Sequence, residues 1–349
     1  MGKLYLILAV ASSGLLTSTH RINQQKNLLC DRMNYFFELK KRTANKFWKD
    51  FNSRSTFGPM ILYTGAGDYL INPNEALLRK LNFSPIDHCI DSVIYGKVTG
   101  LKDEERLNMQ VDYDEEDSSL TFYKNAIANI SDIDIARKFI PNIRDLEFWI
   151  GMVMHENFHL YQTSYTKFKN CQNETQEKFQ RDTLISFYKN LPWYKQSIQK
   201  ENGLLLAAIR TNDKDSVRRY LNEHLQIIKA RQSRILWTYK IDIAPLEDML
   251  ERSEGVARYI EYSMKRMVKE IPVQKKLEGT DTTYHFGAYN SYTRESDDVM
   301  TGVSNQYYYA TGLNLAILFE KYKVNYQETM YKDNVTFRSY FDQVEVVEK

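Results

Sequence analysis

Residues 151–164 read GMVMHENFHLYQTS, placing two histidines four positions apart with a glutamate directly after the first, in a chain of 349 residues that has only 6 histidines. On a helix, positions i and i+4 share a face with Cβ atoms about 5–6 Å apart. That lets the imidazoles of His155 and His159 converge on one tetrahedral metal ion such as zinc. Glu156 then leans toward the open side of the ion, where it can take a proton from water. The bland alternative is a pair of histidines on an ordinary helix. Leu146, Trp149, Ile150, Val153 and Met154, just ahead of the pair or leading into it, predict a helix apolar enough to be buried.

Two imidazoles do not complete a catalytic zinc site, which needs a third protein ligand and leaves the fourth position to water. A histidine six residues past the motif is absent, because position 165 is Tyr165. A carboxylate from elsewhere must serve, and ERSEGVARYIEY, residues 251–262, is the best source. Glu254 opens a helix there beside Gly255 and Ala257, whose small side chains allow a close approach to the histidine helix. Glu251 and Glu261 share roughly the same face and are alternative ligands. As ordinary surface charges they would do nothing more than pair with neighbours, Glu261 with Arg258.

HENFH followed far downstream by EGVARY resembles the gluzincin metallopeptidases, particularly the peptidase MA-like group, in which an HExxH helix is completed by a glutamate from an EGxAxY-type helix. The resemblance covers these two helices well and YYYATGLNLAILFEKY loosely. It implies a zincin-like catalytic lobe, one zinc ion on His155, His159 and Glu254, Glu156 as general base, and hydrolysis of peptide bonds in a peptide or protein substrate. In this group a tyrosine or histidine usually donates to the oxyanion of the tetrahedral intermediate. Tyr308 and Tyr309 are candidates, since Gly312 and Ala316 after them permit close helix packing; His285, in TTYHFGAYNSY, is the rival. Each also has a plain reading, as core aromatics and as a loop residue. His88 and His224 stand alone and read as structural. Two other classes compete: a non-catalytic binding protein on a zincin-like scaffold, against which the intact Glu156 argues, and a helical interaction protein with a coincidental motif.

The rest of the chain must position these groups. Its 25 Tyr against 7 Pro and 14 Gly favour long helices with aromatic seams over a Gly-rich β-sandwich. A net charge of +2 with 26% charged residues implies neither a nucleic-acid groove nor an acidic-substrate funnel. The expected class is α+β, predominantly helical. NLLCDRMNYFFELKKRTANKFWKDF carries apolar residues at helical intervals, while PMILYTG, DSVIYGKVTG and SLTFYKN are short β-rich runs with a helical PNEALLRKL between them. From Asp132 onward nearly every segment has helical periodicity. This gives an α+β amino-terminal lobe over residues 20–140 and a helical, gluzincin-like lobe over residues 141–349.

Residues 1–19 combine Lys3, an apolar run from Leu4 to Ala11 and small residues through Ser18, the pattern of a secretory signal peptide. Secreted or periplasmic export is therefore expected, with no membrane span once the leader is removed. The 3 cysteines, Cys30, Cys89 and Cys171, form no metal-type pair and allow at most one bridge with one thiol left over. The oligomeric state has no signature in the sequence.

Overall fold

The computed structural model describes residues 27–53, 56–65, 67–73, 75, 77–78, 84–89, 92–97, 107–112, 126–180, 182–284 and 302–344. Among these, the protein is α+β and mostly helical. The chain divides into two compact units, Met1–Arg42 with Phe57–Val153 and Met267–Tyr289, and Thr43–Thr56 with Met154–Arg266 and Asn290–Lys349. One crossing between them falls between Val153 and Met154, inside the helix Leu146–Thr163.

The first unit contains a mixed sheet whose described strands are β1 (Met60–Thr64), β2 (Gly67–Ile71), β3 (Ser84–Cys89), β4 (Ser92–Lys97), β5 (Met109–Asp112) and β6 (Ile127–Ser131), in the order β3-β4-β2-β1-β6-β5. β1 and β2 form an antiparallel hairpin closed between Thr64 and Gly67, and β1 pairs in parallel with β6 through Met60 and Ala128. The alternation of buried and half-buried residues along β1 is the period-2 signature of a strand. β2 and β6 are buried along their whole length, as interior strands are. PMILYTG and DSVIYGKVTG thus contain β1 and β4, whereas SLTFYKN lies outside the described residues.

β6 runs straight into the helix Ile133–Phe139, capped by Asp132, whose Oδ1 accepts from the Ile133 N–H at 2.8 Å. Asp132 and Asp281 together clamp Arg32 of the amino-terminal helix, residues 27–47, at 2.9 and 2.7 Å. The histidine helix begins in this unit. Asp145 Oδ1 accepts from the Phe148 N–H at 2.8 Å, and the Trp149 indole donates to the Ser131 carbonyl at 2.8 Å. Cys30 is disulfide-bonded and Cys171, in the second unit, is a free thiol; one bridge and one odd thiol is what the cysteine count allowed.

The second unit is built from helices, including Thr166–Lys178, Asp182–Asn190, Pro192–Arg210, Lys214–Tyr239, Ala244–Leu250, Val256–Val268 and Tyr308–Lys321. Pro192 sits in the first turn of its helix, where its missing N–H costs nothing. Asp213 caps the next helix by accepting from the Ser216 N–H at 2.9 Å. Leu184, Tyr194, Ile198, Ile235, Leu246, Met249, Tyr307 and Tyr308 share one buried cluster. Within the same unit Arg231 is sandwiched between the buried carboxylates of Glu201 and Glu247. Among the described residues no helix is long and apolar enough to cross a membrane.

Candidate metal centre

His155, Glu156 and His159 lie on the helix Leu146–Thr163, in the stretch belonging to the second unit. Helical spacing brings the two imidazole rings to 4.8 Å between centroids, at 81° to each other. The ligand-capable atoms of all three residues lie within 4.8 Å of one another.

Glu254 arrives from a different helix. Between Ala244–Leu250 and Val256–Val268 the chain makes one turn of π-helix, Glu251–Gly255. Such a turn inserts one extra residue and rotates the next helix about the common axis. Glu254 Oε2 ends 3.3 Å from His155 Nε2 and 3.6 Å from His159 Nε2, with the three side chains 10–14% exposed. A tetrahedral zinc with bonds of about 2.0–2.1 Å separates its ligand atoms by about 3.3–3.5 Å. The 3.3 Å separation falls in that range and the 3.6 Å one just above it, where it is too long for an ordinary N–H···O hydrogen bond. Two imidazoles and a carboxylate are also a donor set that zinc takes in catalytic sites. The residues present therefore fit zinc.

The charges are strongly coupled. Burial pushes the Glu254 carboxyl upward, but the two imidazoles outweigh it and hold the group well below the usual carboxylate range. Burial disfavours a charged His159, yet Glu254, with smaller help from Glu156 and Gln162, raises its pKa to about 9.

The alternative carboxylates are occupied elsewhere. Glu251 accepts from the Thr311 hydroxyl at 2.8 Å and from Arg338 at 2.9 Å. Glu261 is paired with Arg258, as its spacing suggested, and with Lys265 at 2.9 Å, while Oε2 stands 3.9 Å from His155 Nδ1. Glu261 thus stands beside the Nδ1 edge of His155, beyond hydrogen-bond reach, with its oxygens taken by Arg258 and Lys265. Burial alone would raise its pKa, but Arg258, Lys265 and His155 together keep it ionised.

Sequence reasoning missed Gln162. Its Oε1 lies 2.7 Å from His159 Nδ1, and its Nε2 donates to the carbonyls of Arg252 and Ser253 at 3.1 and 2.9 Å and to the Tyr331 hydroxyl at 2.9 Å. The Tyr331 hydroxyl itself donates to the Arg252 carbonyl at 2.9 Å. Because the amide nitrogen faces carbonyl oxygens, its oxygen must face His159, so Nδ1 carries the hydrogen and the neutral ring keeps its lone pair on Nε2. The signal was present as an amide three residues, one helical turn, beyond the second histidine.

Of the two tyrosines, Tyr309 stacks on His155 with centroids 6.0 Å apart at 27°. Tyr308 is fully buried in the core cluster. His285 lies outside the described residues, as does His20. His224 is wholly buried beside Phe341, and burial, aided by Arg338, lowers its pKa to about 3, leaving it a neutral core residue. The side chain of His88, on β3, is likewise not described.

Gly255 serves a different approach from the one its sequence context suggests: the backbone it faces is that of Gly312, not of the histidine helix. A methyl on Gly255 would overlap the Cα of Gly312, and one on Gly312 the carbonyl of Glu251. The close crossing made by these two glycines is between the ligand segment and the helix Tyr308–Lys321, with backbone against backbone. This crossing locks the π-turn that carries Glu254.

Comparison with known proteins returns no matching family model, no matching curated protein and no matching solved structure.

Proposed function

We propose that this chain is an exported zinc-dependent peptidase of the gluzincin type, with a zincin-like catalytic lobe in its second unit. The observation that carries this reading is the single carboxylate oxygen of Glu254 facing the Nε2 atoms of both histidines, from a residue 99 positions away from His155 in sequence. Chance pairing of a histidine with a glutamate does not require the second imidazole to share the same oxygen at the edge length of a metal tetrahedron.

Zinc bound there supplies a Lewis acid that lowers the pKa of water toward neutrality and polarises a scissile carbonyl. The chain's own residues do the rest. Glu156, held by the helix between the ligand histidines, accepts the proton of the attacking water and passes it to the leaving amine nitrogen. Gln162 keeps His159 in the tautomer whose Nε2 lone pair is free. In this reading the hydrogen bond to the oxyanion comes from the hydroxyl of Tyr309, whose ring stacks on His155, rather than from the buried Tyr308. The disulfide at Cys30 supports export, because such bonds persist in oxidising compartments.

The test combines zinc stoichiometry with chelator-sensitive hydrolysis of a peptide library. One equivalent of tightly held zinc and hydrolysis abolished in Glu156→Gln, with zinc retained, support the reading. A protein that binds zinc but hydrolyses nothing is a binding protein on this scaffold, and one that holds no zinc is neither.

A further inference from the structure

The helix Lys214–Tyr239 ends in an exposed turn. Residues 236–240 are all exposed, with Tyr239 touching the Phe187 ring at 5.2 Å. The helix stops there because Lys240 adopts the left-handed conformation, at φ 60. The residues on this projecting end are apolar: Leu236 is 48% exposed, Trp237 79% and Tyr239 41%. Trp237 would ordinarily be buried; the chain's other tryptophans are buried or half-buried.

Cations adjoin the tip on its own helix: Lys240 lies over Trp237 at 4.9 Å, and Arg234, one turn earlier, over the Trp193 ring at 4.0 Å. Across residues 186–196 and 233–242 the exposed charged side chains are Lys189, Lys195, Arg234 and Lys240 against Asp242 alone. The Asp242 carboxylate is engaged with the Ala244 N–H at 3.1 Å.

We propose that this tip is a membrane-docking wedge, which seats Leu236, Trp237 and Tyr239 in the interfacial layer of a bilayer with anionic headgroups. Side-chain type and charge choose that occupant. Leu236, Trp237 and Tyr239 stand exposed together at the helix end, and a fluid bilayer accepts such a group without a preformed socket. Amphipathic rings flanked by long cations match the layer where tryptophan and tyrosine sit at headgroup level and lysine reaches the phosphates. The proposal is independent of the metal centre, and it requires no spanning helix.

The full chain is mixed with phosphatidylcholine vesicles, with and without phosphatidylglycerol. Emission of Trp237 is isolated as the difference between the parent and Trp237→Phe, so that contacts made elsewhere on the chain do not enter. With anionic vesicles this difference emission is expected to shift to the blue and to be quenched by brominated acyl chains, and to lose both effects as salt is raised. Leu236→Ser with Trp237→Ser should weaken vesicle binding roughly tenfold, and Lys240→Glu severalfold on anionic vesicles only. Far-ultraviolet circular dichroism verifies that the variants remain folded. Difference emission unchanged by anionic vesicles overturns the proposal. So does a dimer in sedimentation that Trp237→Ser dissolves, since the occupant would then be a second copy of the chain.

Discussion

His159 Nδ1 lies 2.7 Å from Gln162 Oε1, and this contact decides which nitrogen of His159 faces Glu254. Gln162 cannot turn its amide over without setting N–H against N–H and oxygen against the carbonyls of Arg252 and Ser253. Replacing Gln162 with Leu removes the acceptor and frees both the ring and its tautomer. Zinc affinity is expected to fall about 10–100-fold, measured by competition with a chromophoric chelator. An unchanged affinity would mean that the helix alone orients His159.

Glu156 and Glu254 separate chemistry from binding. Glu156→Gln is expected to retain zinc and lose activity by about 10²–10⁴-fold. Glu254→Ala should lose zinc instead. In the metal-free protein it should also bring the His159 pKa down from about 9, because the carboxylate that sustains it is gone; histidine proton resonances followed through a pH titration report this directly.

Zinc binding is expected to release close to one proton near neutral pH. The metal-free His159, with its pKa at about 9, is mostly protonated there, and the metal takes only the neutral ring. Titration calorimetry in buffers of different ionisation enthalpy measures the released proton, and affinity should rise with pH until about pH 9.

The same ion pair sets the pH dependence of the metal-free fold. The His159 pKa is raised from 6.5, so its contribution is complete below 6.5 and is lost as pH climbs through about 9. Glu254 is depressed from 4.5, so its share is present above 4.5 and lost on acidification through the folded value. Urea unfolding of the metal-free protein should show a loss on the order of 2–3 kcal/mol between about pH 6 and about pH 10, and a smaller one if zinc is present.

Gly312→Ala places a methyl against the Glu251 carbonyl at a backbone crossing that has no side chain to yield. The two helices must move apart, which costs about 1–3 kcal/mol and displaces the π-turn bearing Glu254. A lower midpoint in thermal unfolding together with weakened zinc binding is expected. A destabilised variant with full zinc affinity would separate the crossing from the site.

What the sequence determined by itself is local. The four-residue spacing of His155 and His159 fixes their common face because helix geometry has one period, and the short β-rich run MILYT is enough to mark β1. The sequence could prefer Glu254 over Glu251 and Glu261 as the third ligand, but not say what the other two acids do instead. An ideal helix puts all three near one face, and a single π-turn together with the Gly255–Gly312 crossing separates them. Only tertiary structure sends Glu251 to Arg338, Glu254 to the two imidazoles and Glu261 beside His155. It also chose Tyr309 over Tyr308 for the position beside the site, since neighbours in sequence point to different sides of a helix and only packing says which side is core. Gln162 stayed hidden because an amide has no chemistry of its own; its role exists only through the carbonyls that a distant segment brings to it.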